Sequence, residues 1–116
     1  MEENSKNKLL VVWTTKDKEV AKNMVFMYTL NSKLKGWWEN VWLLVWGPST
    51  QLLAEDAEMQ KYVKEMMEAG VNVIACKKCA ENYDVVEEIK QQGIKVFYVG
   101  EWFTEYLKEG GKTLTF

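Results

Sequence analysis

At 116 residues, 47% of them hydrophobic, the chain has the length and composition of one domain with a sizeable core. A net charge of −2, with lysines interleaved among glutamates, argues against a nucleic-acid or anionic-membrane surface. The chain contains no histidine, which excludes Cys-His and Ser-His-Asp catalysis together with every histidine metal ligand.

Residues 1–7 read as a polar leader without the apolar core of a signal peptide, and no apolar stretch approaches a membrane span. A cytoplasmic address is expected, with residues 8–116 as a single domain. Leu9-Leu10-Val11-Val12-Trp13 is a continuous apolar run of strand length. From Asp17 to Lys35 the positions Val20, Ala21, Met24, Val25, Tyr28 and Leu34 recur at helical spacing. Asp17 is the expected N-cap of that helix and Gly36 its stop. Val41 to Trp46 predicts a second strand, ended by Gly47-Pro48-Ser49. A helical stretch then runs from Thr50 to Ala69, with a break near Asp56 and Gly70 as its terminal signal. Val71 to Ala75 is the third strand, Cys79 to Gln92 carries helical periodicity, and Lys95 to Val99 is the fourth strand. A short helix over Glu101 to Lys108 and a last strand over Thr113 to Phe116 complete the pattern.

Strands that are apolar throughout, each followed by a helix, predict a mainly parallel sheet of about five strands inside a three-layer α/β/α sandwich. In such sheets, ligands and reacting groups gather outside the carboxyl ends of the strands. Here those ends are Thr14-Thr15, Gly47-Pro48-Ser49, Cys76 to Cys79 and Gly100-Glu101.

Cys76-Lys77-Lys78-Cys79 is the sharpest feature on that edge. A cysteine at a strand exit, beside a helix start and two lysines, is placed to form the thiolate. Cys76 is therefore expected to be the more reactive thiol, with a pKa below the ordinary value of about 8.5. Cys79, on the first turn of the next helix, is a resolving thiol or a structural bystander. A thioredoxin-type dithiol fits poorly, because the one proline, Pro48, precedes the motif instead of following it. A zinc site within one chain lacks ligands, so only symmetry-related subunits would complete one, and no metal is assigned. The chain has neither a Walker nor a dinucleotide glycine motif. Thr14, Gly47, Ser49 and Gly100 lie in polar turns that would cradle an anion, or else simply cap helices.

The chain has 6 tryptophans. Trp13, Trp42 and Trp46 are expected to fill core, while Trp37-Trp38 after Gly36 suggests a subunit interface. Trp102, Phe103 and Tyr106 add aromatic surface near a helix end and point the same way.

From Lys8 to Phe116 the sequence resembles the DsrE/DsrF-like family of small sulfur-relay proteins. The resemblance lies in the early apolar strand, Lys22-Asn23-Met24-Val25-Phe26-Met27, Trp46-Gly47-Pro48-Ser49, and Gly70-Val71-Asn72-Val73-Ile74-Ala75-Cys76. It implies a three-layer α/β/α fold, homo-oligomers such as trimers or hexamers, and a cysteine after the third strand that carries persulfide sulfur between donor and acceptor proteins. Cys76 holds that cysteine's position. The chain departs from the family pattern at Asp84, where glycine is common, and in having Cys79. The expected function is sulfur carriage with Cys76 as acceptor, Lys77 and Lys78 steadying the anionic sulfur, and no organic cofactor. The alternative is a non-catalytic oligomeric binding module with an anion or small-ligand pocket at the same edge.

Overall fold

The computed structural model describes residues 7–116, so all of the polar leader except Asn7 lies outside the described residues. The apolar runs form β1 (Lys8–Trp13), β2 (Asn40–Val45), β3 (Asn72–Cys76), β4 (Lys95–Phe97) and β5 (Lys112–Thr115). They make one 5-stranded sheet in the order β4-β3-β2-β1-β5, parallel at every pairing. The third strand ends one residue later than its apolar run predicts, on Cys76 itself, which pairs with Phe97 of β4. The fourth ends two residues earlier, leaving Tyr98 and Val99 in the turn beyond it.

The helices are α1 (Lys18–Val20), running through a π-helical segment Ala21–Phe26 into α2 (Met27–Leu34), then α3 (Ser49–Glu55), α4 (Ala57–Glu68), α5 (Lys77–Asn82), α6 (Val86–Lys90) and α7 (Gly100–Lys108). Asp17 caps α1, its carboxylate accepting from the N–H groups of Glu19 and Val20, as its position predicts. The break at Asp56 is also present, and the Asp56 carboxylate accepts from Met59 N–H at 3.0 Å to start α4. Lys18 then ties α1 to the start of α4, reaching Asp56 at 2.9 Å and Glu58 at 3.0 Å.

The π-helical segment is a departure from plain helical periodicity. Its wider turn brings Ala21, Val25 and Phe26 together onto the sheet, with Phe26 edge-on to the fully buried Trp13 at 4.9 Å. Met24, which regular spacing assigns to the core, is turned outward and 51% exposed, and Leu34 is exposed as well.

Helices cover both faces, but unequally. Connections that step steadily from β1 to β4 all cross on one face, as right-handed crossovers require. On that face Val25, Phe26, Leu53, Met59, Val63, Met66, Ala80 and Ile89 pack against Leu9, Val11, Val41, Leu43, Val73 and Ala75. From β4 the chain reverses direction to reach β5 beside β1, and α7 accordingly lies on the opposite face. There Trp102, Phe103 and Tyr106 cover Leu10, Val12, Leu44, Ile74 and Cys76. Trp102 stacks on Tyr106 at 5.8 Å, and Trp46 meets Phe103 at 5.4 Å. The aromatic residues of α7 are thus largely occupied within the chain, and the surplus that predicts an interface narrows to Trp37, which is 56% exposed. Trp38 is half-buried and donates its indole N–H to Tyr28 Oη at 3.2 Å. None of the described helices is long and apolar enough to cross a membrane.

Candidate functional site

The reversal of direction fixes where a crevice opens. The chain leaves β3 towards the α5 face and leaves the neighbouring β4 towards the α7 face, so the layers part between those two strand ends. In open parallel sheets that parting is where ligands bind. Cys76 to Cys79 stands on one side of it and Tyr98 to Gly100 on the other.

Strand alternation decides how Cys76 is held. Ile74 and Cys76 share the face covered by α7, while Val73 and Ala75 point the other way. Cys76 is therefore buried, 5% exposed, within the apolar cluster of Leu10, Val12, Leu44, Ile74 and Val99. Its backbone begins α5 in an extended conformation, φ −75° and ψ 119°. Cys79, on the first turn of α5, packs at the edge of the same cluster and is partly exposed.

Cys79 has a partner from a third element. Gly47 follows β2 with φ +70°, a left-handed conformation that suits glycine, and its N–H is thereby directed at Cys79 Sγ at 3.2 Å. Burial pushes the Cys79 thiol up, the Gly47 N–H opposes that shift, and interaction with the adjacent Cys76 thiol adds to it. Both cysteines are free thiols.

The sequence assigns the open, reactive position to Cys76, and here the structure corrects the geometry. Cys76 lies beneath α7, and Cys79 is the thiol nearer solvent. The Lys77 ammonium lies 5.2 Å from the centre of the Tyr98 ring. Tyr98 in turn donates its hydroxyl to Glu81 at 2.8 Å, so Lys77, Tyr98 and Glu81 bridge the mouth between the β3 and β4 exits. Lys78 is exposed on the surface of α5.

The expected anion cradle is not assembled. The Thr14 hydroxyl donates to the Phe116 carbonyl at 2.9 Å, tying the end of β1 to the end of the chain. Ser49 is fully buried, and its hydroxyl is spent on the carbonyls of Trp13 and Trp46. Gly47 alone of these residues turns a polar group to the cysteines. Gly100 starts α7 with open space around it, across the crevice from Cys79.

Tyr98 and Glu81 escape the sequence reading because the apolar run Lys95 to Val99 absorbs Tyr98 into a strand. Asp84 takes φ +56°, the left-handed conformation natural to the glycine common at this position in the family that the sequence resembles. That kink divides α5 from α6, where periodicity alone predicts one helix.

The fold has structural counterparts. A conserved protein of unknown function from Bacteroides thetaiotaomicron, BT1422, is 42% identical, with a TM-score of 0.95 over 97% of each chain. MTH1491 from Methanobacterium thermoautotrophicum, also described as of unknown function, shares the fold at 14% identity, with a TM-score of 0.76 over 93% of this chain and 97% of its own. No protein-family model and no curated protein matches the chain.

Proposed function

We propose that this chain, which belongs to the same family as the Bacteroides thetaiotaomicron protein BT1422, is a cytoplasmic sulfur carrier that holds sulfur as a persulfide on Cys79. The observation that carries the reading is the partly exposed Cys79 thiol at the parting of the layers, with the Gly47 N–H 3.2 Å from its sulfur and the Cys76 thiol beside it. The resemblance to DsrE/DsrF-like proteins supports sulfur relay as the chemistry. The burial of Cys76 supports giving the acceptor role to its more exposed neighbour.

In the transfer, Cys79 gives up its proton and attacks the outer sulfur of a donor persulfide, R–S–SH. A sulfur–sulfur bond forms on Cys79 as the donor's sulfur–sulfur bond breaks, and the leaving thiolate takes the proton as R–SH. The Gly47 N–H favours the anionic forms of Cys79 before and after the step. An acceptor thiolate removes the sulfur by the same exchange in reverse, so donor and acceptor proteins are the partners and no organic cofactor takes part. The test is intact-protein mass after anaerobic incubation with inorganic polysulfide. The Cys76→Ala chain should gain sulfur and Cys79→Ser should not; gain by Cys79→Ser without gain by Cys76→Ala would transfer the role back to Cys76.

A second reading, an oligomeric binding module, is favoured by a separate observation. Met24, Met27, Tyr28, Trp37, Leu114 and Phe116 line a groove of ≈ 360 Å³ between the first helical layer and the edge strand β5. A homo-oligomer closed over this groove is compatible with sulfur carriage at the opposite edge of the sheet order.

A further inference from the structure

We infer that the pair is self-resolving: Cys76 attacks the persulfide on Cys79, releases sulfide and leaves a Cys76–Cys79 disulfide. The inference rests on Cys79 being the sulfur acceptor and adds the fate of the bound sulfur. Three observations carry it. Cys76 is the extended N-cap of α5 and Cys79 its third residue, the position that an N-cap side chain faces across the first turn. Both side chains pack in the same apolar cluster at the start of that helix. Their burial is unequal in the sense that resolution needs, with an outer thiol to meet the donor and an inner one sheltered by Leu10, Ile74 and Val99.

The step needs no outside oxidant. Cys76 sulfur bonds to Cys79 Sγ, and the bond from Sγ to the outer sulfur breaks. The outer sulfur leaves with the electron pair as hydrosulfide and takes the proton that Cys76 gives up. Two cysteine sulfurs are oxidised to the disulfide while one sulfane sulfur is reduced to sulfide. The extended backbone of Cys76 lets its side chain turn towards Cys79 without unwinding α5. Returning the pair to its reduced state takes two electrons from an external dithiol, which makes the redox state of such a dithiol the control on whether the protein stores sulfur or discharges it.

The experiment loads the full chain with inorganic polysulfide under anaerobic conditions, removes the excess, and follows released sulfide and chain mass. The wild type should release sulfide and end as the intramolecular disulfide. Cys76→Ser and Cys76→Ala should keep the added sulfur on Cys79 and lose sulfide release; the alanine variant preserves an apolar core if serine disturbs folding. A wild type that retains its persulfide without forming the disulfide would overturn self-resolution and leave sulfur carriage standing. Persulfide found on Cys76 in the wild type would overturn it as well. No sulfur gain by the wild type or by either Cys76 variant would overturn the carrier reading itself, and this inference with it.

Discussion

Gly47 N–H lies 3.2 Å from Cys79 Sγ, joining residues 32 apart in sequence across the ends of β2 and β3. The contact exists because Gly47, two residues past the end of β2, adopts φ +70° and turns its amide towards the neighbouring strand's exit. It is a backbone donor set against a sulfur that is partly removed from water, and so it acts on the charge state of the thiol.

Replacing Gly47 with alanine separates conformation from space. The new Cβ would meet only Thr14 Cβ, at an ordinary 3.9 Å, so the cost is the left-handed backbone, about 1–2 kcal/mol. Denaturant unfolding should show a loss of that order. Alanine keeps its backbone N–H, but a turn that relaxes from φ +70° to relieve the strain carries that N–H away from Cys79 and removes an influence that lowers the Cys79 pKa, so alkylation of Cys79 near neutral pH should slow. Faster alkylation would contradict the assigned role of the hydrogen bond.

The raised Cys79 pKa, caused first by burial, predicts a specific pH dependence. In a Cys76→Ala chain, alkylation of Cys79 should keep rising with pH beyond the ordinary thiol range of about 8.5, and loading with polysulfide should follow the same curve. The stability sign follows from the same shift. A thiol whose folded pKa is raised contributes stability that is complete below the unfolded pKa and is lost as pH rises through the folded one. Alkaline unfolding of this variant should therefore ease when Cys79 is also changed to alanine only to the extent that packing is lost, and the thiol's own contribution should vanish at high pH.

Tyr106 supplies a second alkaline signal away from the site. Burial pushes its phenol up to about 12, and its hydroxyl donates to the Lys112 carbonyl at 2.6 Å. Ultraviolet titration should show a tyrosine ionising at about pH 12 that Tyr106→Phe removes, and its stabilising effect should persist below the unfolded pKa and disappear as pH passes through about 12. Gly111→Ala should disturb the same contact, because its Cβ would overlap the Tyr106 ring. A loss of roughly 1–3 kcal/mol is expected, the usual range for overpacking, read by urea unfolding.

The groove beside β5 predicts an oligomer whose mass depends on Met27 and Trp37. Met27 is 54% exposed and Trp37 56% exposed, so changing Met27 to glutamate costs little within the chain while charging the groove. Light scattering should give a multiple of the chain mass for the wild type and a smaller species for Met27→Glu. A monomer across a wide concentration range for the wild type would remove the oligomer proposal.

Much of the architecture is legible in the sequence because its signals are local. The unbroken apolar runs give the parallel sheet, and Asp17 and Asp56 mark helix starts that their side chains actually cap. The cysteine edge is legible for the same reason, since a cysteine that ends an apolar run must reach the carboxyl end of a strand. What escapes is set by contacts distant in sequence. Cys76 is buried by α7, which begins 24 residues later and crosses on that face only because the chain reverses direction after β4. The hydroxyls of Thr14 and Ser49 look available in their turns, yet they are spent on carbonyls of Phe116 and Trp13 that other strand ends present. The π-helical segment escapes for a different reason: a single wide turn breaks regular spacing, which moves Met24 from the expected core to the surface.

Competitive alkylation of the native, reduced chain at neutral pH, read by peptide mass spectrometry, tests most directly whether Cys79 is the acceptor. The difference in exposure predicts that Cys79 labels first and that Cys76 labels at a comparable rate only after unfolding. Native labelling of Cys76 ahead of Cys79 would contradict the account and restore the acceptor role to the residue that ends β3.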